Sequence, residues 1–171
     1  MRHILVMGIC GTGKTTVAGL LAAHLRRPLV EADDHHAAEA IERMARGEAL
    51  TDIDRWDWLD RVAEAAINAG SSTVIACSAL KRAYRARLVE RLGHMDIVFL
   101  QGSRPLVTAR MSRRTAHYMP TSLIDSQLAD LEPPEGDNVL TLEITDPPDR
   151  LAAAAYDFVT RSQDTARPAN S

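Results

Sequence analysis

A parallel α/β fold, one sheet covered on both faces by helices, is predicted for this chain by three observations. Short, wholly apolar runs alternate with helical stretches along its length, as strands buried on both faces do. The first run ends in a glycine-rich turn that opens directly into a helix. Polar and chemically active residues gather just after the runs, at the carboxyl ends of the strands, where sheets of this kind bind ligands.

The elements follow in order. His3 to Met7 reads as a buried strand, and Val17, Leu20, Leu21, His24 and Leu25 mark one face of the helix after it. Leu29-Val30 is a short second strand ending at Glu31-Ala32-Asp33-Asp34. A helix from about His36 to Arg46 is expected, with Ala38, Ile41 and Ala45 on one side and Gly47 as its stop. Thr51 to Asp54 forms a turn and cap for a helix burying Leu59, Val62, Ala63, Ala66 and Ile67. Thr73 to Cys77 is the third strand, followed by a basic helix over Lys81 to Leu92. Asp96 to Leu100 is the fourth strand, with a helix over Pro105 to Arg114. A polar segment then carries a short helix around Ser122 to Leu131, before the fifth strand, Val139 to Ile144. The last helix buries Leu151, Ala154, Ala155, Phe158 and Val159. Residues 1–161 therefore read as one domain, and 162–171 as a disordered polar tail.

Bulk properties exclude several classes. The 171 residues are 46% hydrophobic and 25% charged with net charge −3, which gives no general attraction to nucleic acid or to an anionic membrane. Two cysteines make no disulfide framework, the first strand starts too early for a signal peptide, and no apolar run is long enough to span a bilayer. A cytoplasmic protein is expected.

The turn Gly8-Ile9-Cys10-Gly11-Thr12-Gly13-Lys14-Thr15 has the G-x-x-x-x-G-K-[ST] spacing of a phosphate loop. Its glycines let main-chain N–H groups close around a polyphosphate, and the helix start adds a positive dipole end. Gly8, Gly11, Thr12, Gly13, Lys14, Thr15 and Thr16 form the expected nucleotide cradle, with Lys14 on the β and γ phosphates and the Thr15 hydroxyl on Mg²⁺. The sequence thus predicts a P-loop nucleoside-triphosphate-binding sandwich with a five-stranded parallel sheet.

Strand alternation puts Glu31 and Asp33 on one side. One carboxylate suits Mg²⁺, with Glu31 the metal-side candidate, and the other suits acceptance of a hydroxyl proton; a cluster capping the next helix is the structural alternative. Arg110 and Arg114 would share a helix face and read as phosphate clamps on a lid spanning about 113–130. Lys81 and Arg85 are also four residues apart, and a carboxylate-bearing substrate would neutralise them. Solvated basic faces are the alternative for both pairs. Adjacent His35 and His36 do not share a face and lack further ligands for zinc. Trp56 and Trp58 read as packing groups, and an aromatic fraction of 4% argues against base stacking.

Beyond the phosphate loop, longer strings are distinctive: Asp33-Asp34-His35-His36, Gly47 to Asp52 with Asp54-Arg55-Trp56-x-Trp58-Leu59, Val74 to Arg85, His117-Tyr118-Met119-Pro120 and Leu123 to Gln127. In these the chain resembles the small P-loop gluconokinases from Gly8 to about Pro148. The resemblance implies a nucleoside-monophosphate-kinase-like fold, ATP and Mg²⁺ as cosubstrates, 6-phosphogluconate as product, and a homodimer. It also implies that Lys14 and Arg114 stabilise the transferring phosphoryl group and that Asp33 orients or deprotonates the C6 hydroxyl. His36, Arg55, Lys81, Arg85, His117 and Gln127 would line the gluconate pocket, and Thr145 to Pro148 would border the adenine. The chain departs from the family pattern at Glu31, His35, Ala37 and Thr115-Ala116, positions near the acceptor and in the lid. A kinase of another small hydroxylated acid, shikimate-like, and a nucleotide-binding module without turnover are the competing readings. No Asn-Lys-x-Asp guanine motif is present to support a GTPase switch.

Overall fold

The computed structural model describes residues 1–113 and 121–166. The elements are β1 (His3–Met7), α1 (Lys14–Leu25), β2 (Leu29–Glu31), a 3₁₀ turn (Ala32–His35), α2 (Ala38–Ala45), α3 (Asp52–Ala69) and β3 (Val74–Ala76). They continue with α4 (Arg82–Leu92), β4 (Met95–Gln101), α5 (Arg104–Ser112), α6 (Thr121–Asp130), β5 (Val139–Glu143) and α7 (Pro148–Thr165). The five strands form one sheet in the order β2-β3-β1-β4-β5, with every pairing parallel. β1 lies at its centre, Leu5 opposite Ile75 on one side and Ile97 on the other.

Alternation along β1 sorts the two cores. Ile4 and Val6 face α1, α5, α6 and α7 through Val17, Leu21, Val107, Ile124, Leu151 and Val159. Leu5 and Met7 face α3 and α4 through Trp58, Leu59, Val62, Tyr84 and Leu88. Three layers result, and the apolar runs of β1, β3 and β4 are explained by burial on both faces, while the edge strands β2 and β5 are partly exposed.

Several expected details are corrected. α1 buries Val17, Ala18, Leu21 and Ala22, because it packs against both the sheet and α7; Leu25 is only partly covered. α2 starts at Ala38 and buries Ala40, while Ile41 is 51% exposed. In α3 the buried stripe begins at Trp58, and Ile67 is 50% exposed. The Thr51 cap holds as expected and is a full capping box: the Thr51 hydroxyl accepts from the Asp54 N–H, and the Asp54 carboxylate accepts from the Thr51 N–H. Thr51 and Arg43 hold the Asp54 carboxyl down at about 2, the contact with Arg43 being the larger cause.

The polar tail does not begin at 162. α7 continues to Thr165 because Ser162 and Gln163 donate to the carboxylate of Asp96, a fully buried group at the start of β4 that also pairs with Arg2. Residues 167–171 lie outside the described part.

The loop after β1 tolerates no side chain at two places. A Cβ on Gly8 would stand 2.6 Å from the Leu100 carbonyl oxygen, and one on Gly11 would meet Met111 Sδ at 2.9 Å with φ at +78°. Gly8→Ala is expected to cost about 1–3 kcal/mol of stability by displacing β4 from the loop, measured by chemical denaturation.

Candidate active site

The phosphate loop joins the central strand to α1, so its geometry is anchored on both sides. Gly13 takes a left-handed conformation (φ 87°, ψ 27°) immediately before Lys14, and its carbonyl accepts from Val17 N–H to start the helix. Lys14 Nζ donates to the Ile9 carbonyl at 3.0 Å, and the Thr12 hydroxyl donates to the same oxygen at 2.8 Å. Desolvation pulls the Lys14 ammonium below its usual range, opposed by the negative groups around it, Asp33 foremost among them. Thr16 lies on the exposed side of the first helical turn.

The Thr15 hydroxyl donates to Glu31 Oε2 at 2.6 Å. A hydroxyl and a carboxylate held together at the loop are hard oxygen donors of the kind Mg²⁺ accepts when phosphates and water complete its shell. Among the described residues no group of three or more His, Cys, Asp or Glu side chains is placed to hold a metal without such help.

The acidic corner is built differently from the expected strand alternation. β2 ends at Glu31, and Asp33 is delivered by the 3₁₀ turn, with its side chain 83% exposed. Both carboxylates still act electrostatically on Lys14. Trp58 Nε1 donates to the Ala32 carbonyl at 2.7 Å and fixes the turn. The His36 ring stacks on Trp58, centroids 4.5 Å apart, with Nε2 4.0 Å from Asp33 Oδ1. Its side chain is only 10% exposed and Nδ1 has no partner among the described residues; burial lowers its pKa, so the ring is neutral at pH 7. Trp56 and Trp58 are packing groups, as expected: Trp56 meets the Tyr84 ring edge-on.

A cationic cluster is built where α3 meets the start of α4. Arg55 Nη1 donates to Tyr84 Oη at 2.7 Å, and Tyr84 Oη donates to Asp52 at 2.9 Å. Asp130, at the end of α6, stands 3.7 Å from Arg55, and Lys81 lies 3.9 Å from Asp52 and over the Tyr84 ring. Arg55 and Lys81 are thus brought together as predicted. Tyr84, Asp52 and Asp130 were not assigned from sequence; a tyrosine inside the Lys-Arg-x-Tyr-Arg string was the available signal, since α4 buries it beneath both cations.

Arg85 does not join them. Lys81 has extended backbone and precedes α4, so the pair shares no helical face. Arg85 is 6% exposed and its guanidinium donates to the carbonyls of Ala79 (2.9 Å), Leu80 (3.0 Å) and Glu132 (2.8 Å). It clamps the loop after β3, where Ala79 has φ at +43°, to the chain leaving α6. Desolvation is the main reason its pKa is lowered, with Glu132 opposing. Arg85→Met takes the guanidinium from three carbonyls, of which, among the described residues, only that of Leu80 keeps another donor, the Glu132 N–H at 2.9 Å, and is expected to cost about 3 kcal/mol, roughly 6–12 °C in Tm by calorimetry. A substrate ligand would instead change KM and leave Tm in place.

The other positively charged and lid residues divide. Arg110 donates to the Ile144 carbonyl at the end of β5, beside the loop expected to border adenine. Gln127 meets the phosphate loop, not the cationic cluster: its Oε1 accepts from Cys10 N–H at 2.6 Å. Arg114 and His117 lie outside the described residues. Cys77, at the end of β3, is buried, and its thiol is pushed up to about 12, which removes it as a nucleophile.

A phosphate loop on the central strand of a parallel sheet, with its lysine, a hydroxyl–carboxylate pair and an acid beside it, defines a P-loop phosphotransferase. The AAA domain family model matches residues 4–134. The gluconokinase of Gluconobacter oxydans is 43% identical over 140 residues, covering 80% of this chain and 78% of that protein. The thermoresistant gluconokinase of Escherichia coli is 32% identical over 168 residues, covering 95% and 96%. The crystal structure of a gluconokinase from Sinorhizobium meliloti superposes with a TM-score of 0.88 at 36% identity, over 96% and 95% of the two chains. The chain belongs to the gluconokinase family.

Proposed function

We infer that this protein transfers the γ-phosphoryl group of ATP to the C6 hydroxyl of D-gluconate, giving 6-phosphogluconate and ADP. The observation that carries this reading is a pair of complementary charged groups. Asp33 stands exposed and acts electrostatically on Lys14, while Arg55 and Lys81 both lie over the Tyr84 ring. A sugar acid has complementary ends: a primary alcohol for Asp33 and a carboxylate for the two cations.

The loop amides and Lys14 bind the β and γ phosphates, and Lys14 leaves the Ile9 carbonyl to do so. Thr15 and Glu31 would hold Mg²⁺, which neutralises charge developing on the phosphates when bound. Asp33 accepts the proton of the C6 hydroxyl as its oxygen bonds to the γ-phosphorus and the bond to ADP breaks; the proton then passes to solvent. Arg114, assigned from the resemblance, adds positive charge to the transferring group, and His36 and His117 flank the acceptor. Asp52 and Asp130 hold Lys81 and Arg55 until the acceptor carboxylate replaces them.

The reading includes a cytoplasmic homodimer that uses neither nucleic acid nor membrane. No helix among the described residues is long and apolar enough to cross a membrane. A coupled assay of ADP release across gluconate, shikimate and related hydroxy acids tests the acceptor. Gluconate gives the largest kcat/KM; silence with gluconate beside clear turnover of another acid overturns the assignment.

A further inference from the structure

The contact between Gln127 and Cys10 joins residues 117 positions apart in the sequence and links α6 to the phosphate loop. On α6, Ile124 is fully buried in the core beneath the loop, and Leu128 and Leu131 pack against the same core. This stripe seats the helix, and Gln127, at its edge, reaches the loop from a fixed base. The acceptor in the contact is the carboxamide oxygen, because a main-chain N–H can only donate. The orientation of the amide is thereby settled: Oε1 is committed to Cys10, and Nε2, on the same carbon, lies within one carboxamide of the loop. Nε2 has no hydrogen-bond partner among the described residues, and the side chain is only partly buried.

The contact uses one main-chain donor of the loop and brings the two N–H donors of the Gln127 carboxamide beside Cys10. The amides lining the start of α1 serve the phosphates nearest the helix. Cys10 stands four residues before α1 begins, so a donor added there is separate from the amides at the helix start.

We propose that Gln127 is a phosphoryl-contacting residue, held by the Cys10 amide so that its Nε2 group donates to the γ-phosphoryl oxygens. This rests on the reading of the chain as an ATP-dependent kinase and concerns the phosphate end of the site, independent of which acid accepts the group. It assigns α6 a part in nucleotide discrimination: a diphosphate has no γ oxygens and gains nothing from Gln127.

The test compares wild type, Gln127→Glu and Gln127→Ala as full chains. In Gln127→Glu the new carboxylate would accept the Cys10 N–H as the carboxamide does, yet it lacks the amide donors and adds negative charge beside the phosphate. Calorimetric titration with the β,γ-imido analogue of ATP and, separately, with ADP, both with Mg²⁺, reads the effect. Gln127→Glu is expected to weaken the triphosphate analogue by about 10–100-fold and ADP by less than about threefold, and Gln127→Ala to weaken the analogue by about tenfold. The melting temperature of nucleotide-free Gln127→Glu should stay near wild type, and Gln127→Ala carries the same comparison should that variant not fold. Equal losses for the two nucleotides, or a Gln127→Glu variant indistinguishable from wild type, would overturn the proposal. No acceptor is present, so gluconate specificity can fail without touching this result; wild type binding neither nucleotide would instead remove the kinase reading itself.

Discussion

Asp33→Asn is expected to lower kcat by roughly 10²–10⁴-fold while ATP affinity changes by less than about threefold. The amide keeps the shape of the side chain and can no longer take a proton. Asp33 is 83% exposed and the neutral His36 ring approaches it no closer than 4.0 Å, so its loss leaves no buried charge stranded. The fold should therefore tolerate the change. Single-turnover kinetics beside equilibrium nucleotide binding separate the effects, and parallel losses in both would make Asp33 a structural residue. The same substitution removes the first of the negative neighbours that oppose desolvation of Lys14. Lys14 should then titrate at lower pH than in wild type, so the alkaline limb of the kcat profile moves to lower pH.

Lys14→Met should be at least as damaging and differently distributed. The methionine keeps the bulk of the lysine stem and removes the cation from the phosphates, with rate expected to fall by about 10³-fold and triphosphate affinity by about tenfold or more. Stability should change little, since the ammonium bonds one carbonyl, that of Ile9, which also accepts from Thr12. Fluorescent-nucleotide titration and steady-state kinetics on one preparation give both numbers. Retained rate with lost affinity would mean that Lys14 binds ground and transition states equally.

Residues whose role is local were legible in the sequence. The phosphate loop, the start of its following helix and the Thr51 cap are set by neighbours within a few positions and stand where the sequence puts them, although the helix buries a different face from the one its spacing suggests. Apolar runs gave the five strands, most plainly β1, β3 and β4, whose burial on both faces leaves no polar alternation to misread. Arg55 and Lys81, both named from the sequence, lie over one tyrosine, but their counter-charges Asp52 and Asp130 carried no local signal. Asp130 is remote from Arg55 in the chain, and only the docking of α6 brings them together. Arg85 shows the failure most clearly. A periodic rule paired it with Lys81, while the carbonyls that engage it belong to a left-handed turn and to Glu132, neither of which has a sequence signature. Gln127 is the same case: its partner is a main-chain N–H, which any residue at position 10 other than proline would supply.

The central place of β1 has a practical consequence. To one side of it, β2 and β3 carry the acid corner and the loop leading to Lys81; to the other, β4 and β5 lead to Arg110 and the final loop. Someone wishing to retarget this catalyst to a new alcohol could redraw the stretch after β3 around Lys81, leaving Glu31 and the loop after β1 untouched.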